Sequence, residues 1–338
     1  MRLQMLFVCS ALAGAAWAQA PLVGNINLYG LHQLTAEQVL EVARVETGGA
    51  LPHSKGDLEG AIGQLPGVIA VDVEAVCCVG NATDLFIGIA EQGSPQPSFH
   101  DYPSGSTTLP QEALDLYRQY VGAMQRAELK GTANEDLAKG QTINADPAVH
   151  AIQQKFIDYA TARLPLLRDE LKTGSVPEER AVAALIIGYA PRKLDVVGDL
   201  EYALDDPDAG VRASAVKSLA AIAVLAREQP GFGIRIAPTW FIEMLNSVYL
   251  SDRVEATKVL VTLTDSPNPA ALDLLRAGAL GSLTEMARWK TQSYAFPPFL
   301  LLGRAAGMRD TQIHQEWDKP DREAAIQTVE EAARTAKH

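Results

Sequence analysis

The side chains that could carry chemistry are spread thinly along this chain. Six histidines stand at His32, His53, His100, His150, His314 and His338, and none pairs with another at a helical spacing suited to a metal. There is no His-Glu-x-x-His run, no phosphate loop and no Gly-x-Ser-x-Gly elbow. His100-Asp101-Tyr102 gathers an imidazole, a carboxylate and a phenol, but in a stretch too rich in Gly, Pro and Ser to hold them rigidly. The carboxylate pairs Glu178-Glu179 and Asp205-Asp206 fall at helix starts or turns, where capping explains them. Asn81-Ala82-Thr83 matches a glycosylation sequon on a hairpin turn and is read as a chance match. These residues predict no enzyme, no cofactor and no metal. A site assembled from segments distant in sequence is the competing reading, and it requires a pocket gathering two or more titratable groups.

The start of the chain supplies an address. Arg2 gives a positive beginning, Met5 to Ala16 is apolar, and Ala16-Trp17-Ala18 has the small-x-small form that signal peptidase accepts. Residues 1–18 therefore read as a signal peptide cut before Gln19, which places the mature protein in the periplasm or outside the cell. No later stretch is expected to be membrane-embedded. The formal charge of -12 repels phosphate backbones, so nucleic acid is excluded as a partner. Cys77 and Cys78 are adjacent, and on a strand they point to opposite faces. The expectation is one thiol in the core and one outside, with a strained disulfide or an intermolecular bridge as alternatives in an oxidising compartment.

Behind the leader, hydrophobic periodicity sets out the elements. Ile26 and Leu28 alternate with Asn27 and Tyr29 as in a half-buried strand. Thr35 precedes Gln38 by three residues, a helix-start signature, and Val39, Val42 and Ala43 form its apolar stripe. Leu58, Ile62 and Leu65 mark a second helix that Pro66-Gly67 ends. Two alternating runs follow, Val71/Val73/Ala75 and Leu85/Ile87/Ile89, joined by a reversal at Gly80-Asn81. The order is β-α-α-β-β, with two helices on one face of a three-stranded sheet.

On those residues the stretch 19–92 resembles a POTRA domain, the polypeptide-transport-associated module, over about a fifth of the chain. The matching positions are Ile26-x-Leu28-x-Gly30-Leu31, Leu34-Thr35-x-Glu37-x-Val39-Leu40, Gly48/Gly49-x-Leu51, Asp57-Leu58, Leu65-Pro66-Gly67 and the hairpin from Val71-x-Val73 to Glu91. The resemblance implies that the second strand lies at a sheet edge and accepts an extended client strand. In this sequence that edge is Ile69, Val71, Asp72, Val73, Glu74 and Val76. Asp72 and Glu74 would then guard it against self-association. The competing expectation is a structural domain whose edge the rest of the chain covers. No barrel-like strands follow, which excludes a pore.

Residues 93–110 lack apolar periodicity and read as a flexible linker; residues 111–338 read as helical throughout. Arg180, Arg212 and Arg253 are each followed three residues on by Ala183, Ala215 or Ala256, and seven on by Ile187, Leu219 or Leu260. The pairs Leu167/Leu171, Leu200/Leu204 and Phe241/Leu245 precede them. Such units stack, because one alone cannot bury its apolar face. With Asp205-Asp206-Pro207-Asp208 leading into Val211-Arg212, the region from Glu178 to Asp265 resembles HEAT repeats. In that family the arginine locks successive turns against an acid. After Asp265 the likeness fades, and Pro297-Pro298 is expected to break the pattern. The predicted fold is thus α+β, a small POTRA-like domain joined by a linker to an all-α HEAT-like solenoid. The predicted function is a non-enzymatic adaptor for protein or polypeptide partners. An accessory chaperone for envelope proteins in transit is the alternative.

Overall fold

Local signals start and stop the elements where the side chains can satisfy them. The computed structural model describes residues 21–79, 82–266 and 268–336. The signal-peptide reading for 1–18, and the reversal and sequon at Gly80-Asn81, lie outside the described residues. Strand β1 (Leu22–Tyr29) leads to α1 (Ala36–Ala43), whose cap is reciprocal: the Thr35 hydroxyl accepts from Gln38 N–H and the Gln38 amide accepts from Thr35 N–H. Helix α2 (Lys55–Ile62) begins on Ser54, whose hydroxyl accepts from Asp57 N–H. Strands β2 (Val68–Val79) and β3 (Ala82–Glu91) complete the β-α-α-β-β order. The sheet order is β1-β3-β2, with β3 parallel to β1 and antiparallel to β2.

Both faces of this sheet are covered. Val73, Ile87 and Ile89 bury one face against Val39, Leu58 and Ile62 of α1 and α2. The other face enters the helical core through Tyr29 and Phe86, both fully buried. Phe86 meets Trp289 and Tyr294 edge-on, with centroids 5.2 and 5.4 Å apart, and Tyr29 donates its hydroxyl to the Val248 carbonyl at 2.9 Å. Gly88 permits this approach, since a Cβ there would stand 2.1 Å from the Val248 oxygen. The two-layer arrangement expected for the sheet is therefore a three-layer one, and Phe86→Ala would remove a ring on which the layers meet.

The helices follow in chain order. Helix α3 (Gln111–Lys130), the short hairpin of β4 (Glu135–Asp136) and β5 (Ile143–Asn144), and α4 (Pro147–Thr173) come first; the hairpin interrupts a region expected to be helical throughout. Then come α5 (Pro177–Ile187), α6 (Val197–Tyr202), α7 (Ala209–Glu228), α8 (Thr239–Met244) and α9 (Leu250–Leu263). The array ends with α10 (Pro269–Gly278), α11 (Leu280–Ala287), α12 (Gln292–Ala305), α13 (Asp310–Trp317) and α14 (Arg322–Thr335). The class is α+β, as the periodicities predict.

Helices α4, α5, α7 and α9 pack in succession. Their shared layer holds the repeated positions Leu167, Leu171, Ile187, Leu219 and Leu260, all fully buried. Contrary to the expectation that no segment after the leader has such a composition, α7 is long and apolar enough to cross a membrane. Here it lies between α5 and α9 with Val211, Leu219 and Ile222 buried in the core. Pro297 and Pro298 do not break the array but sit inside α12. A proline inside a helix costs ~3 kcal/mol or more. Phe299, Leu301 and Leu302 directly after them are fully buried, and that burial offsets the lost hydrogen bonds.

The stretch 93–110, expected to be a flexible linker, instead runs across the helix turns as a bonded strap. His100 N–H donates to the Asp205 carbonyl at 2.8 Å, and its ring stacks on Tyr202 with centroids 4.2 Å apart. Gly105 N–H donates to the Thr173 carbonyl at 2.8 Å, and a Cβ on Gly105 would stand 2.4 Å from that oxygen. Leu109 is buried, and its N–H donates to Glu179 at 2.6 Å. Low periodicity predicted freedom because these contacts are made by backbone groups and single rings, which leave no pattern in sequence.

Candidate functional site: the two edges of the sheet

A sheet with both faces covered can be approached only along its edges. β2 is one outer strand. Its register puts Val71, Val73 and Ala75 opposite Ile89, Ile87 and Leu85. Val73 N–H points away from β3, since it donates to the Glu59 carboxylate of α2 at 2.9 Å. Val71 and Ala75, two residues either side, turn their backbone groups the same way, and among the described residues nothing outside the sheet bonds them.

The residues predicted from sequence are separated by this geometry. Ile69 is 60% exposed at the start of the strand. Val71 and Val73 face α1 and α2, while Val76 packs partly against the helical core. Asp72 is buried rather than projecting into solvent. The Lys55 ammonium reaches round the edge to Asp72 at 2.9 Å, to Glu74 at 3.0 Å and to Glu59 at 3.6 Å. Burial raises the Asp72 pKa, and the Lys55 hydrogen bond opposes that rise. The same two acids hold Lys55 protonated well above its ordinary range although burial works against it. The charges along this edge are thus Asp72, Glu74, Lys55 and Glu59. Lys55 and Glu59 were missed from sequence because they lie on a helix and meet the strand only through the fold.

The opposite edge belongs to β1. Its first residues are covered: Val23 N–H donates to the Gly49 carbonyl at 2.9 Å, and Gly48 N–H to the Val23 carbonyl at 2.8 Å. At its end, Gly30 N–H donates to Glu285 on α11 at 2.7 Å. Between them an open cleft of about 660 Å³ separates β1 from α10 and α11. Asn27 fixes the far wall, donating to Thr291 at 3.2 Å and accepting from Lys290 N–H at 2.7 Å. The loop that leaves β1 is anchored by Glu91, whose carboxylate accepts from the backbone N–H groups of His32, Gln33 and Leu34. Burial alone would raise the Glu91 pKa, but those donors together pull it below the usual carboxylate range.

Among the described residues, titratable groups also gather in a second cleft between α3 and α4, lined by Glu112, Asp115, Lys155, Asp158, Tyr159 and Arg163. His100 is committed to Tyr202 through both its ring stack and a 3.2 Å hydrogen bond from Nε2. Among the described residues no group of three His, Cys, Asp or Glu side chains is placed to hold a metal. Cys77 is exposed and disulfide-bonded, which fits the disulfide alternative and not the expectation of free thiols; its partner lies outside the described side chains. The repeated arginines are structural ties. Arg180 bonds Asp206, Arg212 bonds Asp252 and Arg253 bonds Glu285, at 2.8, 2.7 and 3.0 Å. Compared with protein-family models, with curated proteins and with solved structures, the chain finds no match.

Proposed function

We propose that this chain is an exported, non-enzymatic adaptor that holds extended polypeptide segments by strand addition, with the helical array offering a second partner surface. The reading joins a POTRA-like sheet module to a HEAT-like array. One observation carries it: β2 is an outer strand, and the outward backbone groups of Val71 and Ala75 flank a single bonded position, Val73. Edge groups of this kind bind another strand with little dependence on its sequence, which suits a protein with many clients or a variable one. Exposed Ile69 adds apolar contact at the start of the strand.

The test places a photocrosslinking side chain at Ile69 and compares the parent with Ala75→Pro. Proline removes the outward N–H of an edge residue and leaves the bonds to β3 in place. Discrete crosslinked polypeptides from envelope extract are expected with the parent and lost with the variant, whose folded state is checked by circular dichroism. Crosslinks that persist unchanged in a folded Ala75→Pro protein refute strand addition at β2.

A further inference from the structure

We infer that the cleft along β1 is a second polypeptide site, distinct from the β2 edge, and that it takes an extended segment in which acidic and apolar residues alternate. The side of β1 that faces the cleft is identified by two bonds directed away from β3, Val23 N–H to the Gly49 carbonyl and Gly30 N–H to Glu285. The register passes one irregularity between Val23 and Ile26, so Ile26 and Leu28 direct their backbone groups to the same side as Val23 and Gly30. Both residues line the cleft, and among the described residues nothing outside the sheet bonds those groups.

The two walls ask for different side chains. On one side lie Ile26 and Leu28, which pack with the apolar layer under α1 and α2. On the other lie Arg253, Arg276, Arg288, Lys290 and Arg334, with Glu285 the one carboxylate among the lining residues. In a chain of formal charge -12 this cationic wall is a local reversal. The arginines are held in place by Glu285, Asp273, Glu323 and Glu330, whereas Lys290 pairs with no acid among the described residues. Trp289 also lines the cleft; it is buried, and its indole nitrogen has no acceptor among the described residues. A strand laid beside β1 would turn alternate side chains to the two walls, apolar ones towards Ile26 and Leu28 and acidic ones towards Lys290.

The experiment measures fluorescence anisotropy of a labelled eight-residue peptide of alternating Val and Glu, titrated with the folded protein. Saturable binding is expected. It should weaken at least tenfold when the peptide is Val–Gln, when alternate amides are N-methylated in one of the two phases, and when the protein carries Lys290→Glu. It should be unchanged in Ala75→Pro, which reports on β2 alone. Equal affinity for the Val–Gln peptide overturns the inference, as does full displacement by inorganic phosphate at equal ionic strength. Binding lost in Ala75→Pro but retained in Lys290→Glu also overturns it, and assigns the peptide to β2 instead.

Discussion

The helical array and the sheet edge both use a cation to tie neighbouring elements together, at opposite depths. Arg212 is fully buried and forks onto Asp252, with its guanidinium also donating to the carbonyls of Asp206 and Pro207. Phe99 of the strap and Tyr249 stack over it, at 4.3 and 5.1 Å from their ring centroids. Lys55 makes three carboxylate contacts, but its side chain is 49% exposed. The first tie is sealed from water. The second is wet, so water or an incoming strand can replace it. Depth, rather than the number of contacts, separates a structural lock from a releasable one.

The sharpest way to break this comparison is at Arg212. Arg212→Ala leaves Asp252 buried with its counter-charge gone and, among the described residues, only the Ser247 hydroxyl bonded to it, and should cost ~3–5 kcal/mol, measured by urea denaturation. Replacing both partners, Arg212→Met with Asp252→Leu, should restore most of that loss, because the cost arises from a stranded charge. A single variant that unfolds like the parent would remove the distinction between lock and latch.

The next effect concerns buried charges without a counter-ion bond. Glu170 on α4 is buried, and among the described residues neither of its carboxylate oxygens has a hydrogen-bond partner. Burial, then Glu179, raises its pKa from 4.5 to about 7. The folded state therefore holds this proton longer than the unfolded state, and the contribution of Glu170 to stability falls as pH rises from 4.5 to about 7. Lys193 is buried with one bond, to the Gly188 carbonyl at 2.7 Å, and burial lowers its pKa from 10.5 to about 7. Its contribution rises with pH across that interval. Together they predict a dip in stability near neutrality. Glu170→Gln should flatten the acid side of the dip and Lys193→Met the alkaline side, each read as melting temperature against pH relative to the parent. Parallel curves for parent and variants would show that neither group titrates as its burial requires.

The smallest effect on stability, and the most informative for function, is expected at the latch. Glu59→Ala, at a partly exposed position, should change stability by only ~0–1 kcal/mol. It frees the outward Val73 N–H, because alanine has no acceptor, and removes one charge from the edge, so self-association by sedimentation should increase. An unaltered sedimentation profile would mean that α2 does not protect β2.

Much of the helical interior was legible in the residues. The Arg180/Arg212/Arg253 spacing, the alanines three residues on and the aliphatics seven on all fall on buried faces of α5, α7 and α9. They were readable because helix stacking imposes a period on the sequence. The arginines' burial was not readable, since the spacing is the same whether the acid ahead lies in solvent or under Phe99. The strap was misread for a related reason: its hydrogen bonds to Asp205 and Thr173 use carbonyls, which every residue has.

The candidate site divides in the same way. Ile69 to Val76 could be picked out as a strand, and the alternation of Val71 and Val73 with Asp72 and Glu74 correctly separated its faces. The hand of Lys55 and Glu59 on that strand could not, because they lie 17 and 14 residues from the groups they bond. The cleft along β1 left no local sign, as its walls come from residues more than two hundred positions apart.

Sequence alone determined most of the strands and helices, the β4–β5 hairpin and the proline-containing α12 excepted, because hydrophobic period and capping act within a few residues of each other. It also determined that the helices must stack, since no single pair could bury its apolar side. Only the tertiary structure decided that the sheet lies between two helical layers, and hence that its edges rather than its faces remain open. That outcome depends on the fit of Tyr29, Phe86 and Gly88 against Val248, Trp289 and Tyr294, a matter of shape between distant surfaces that no local pattern records.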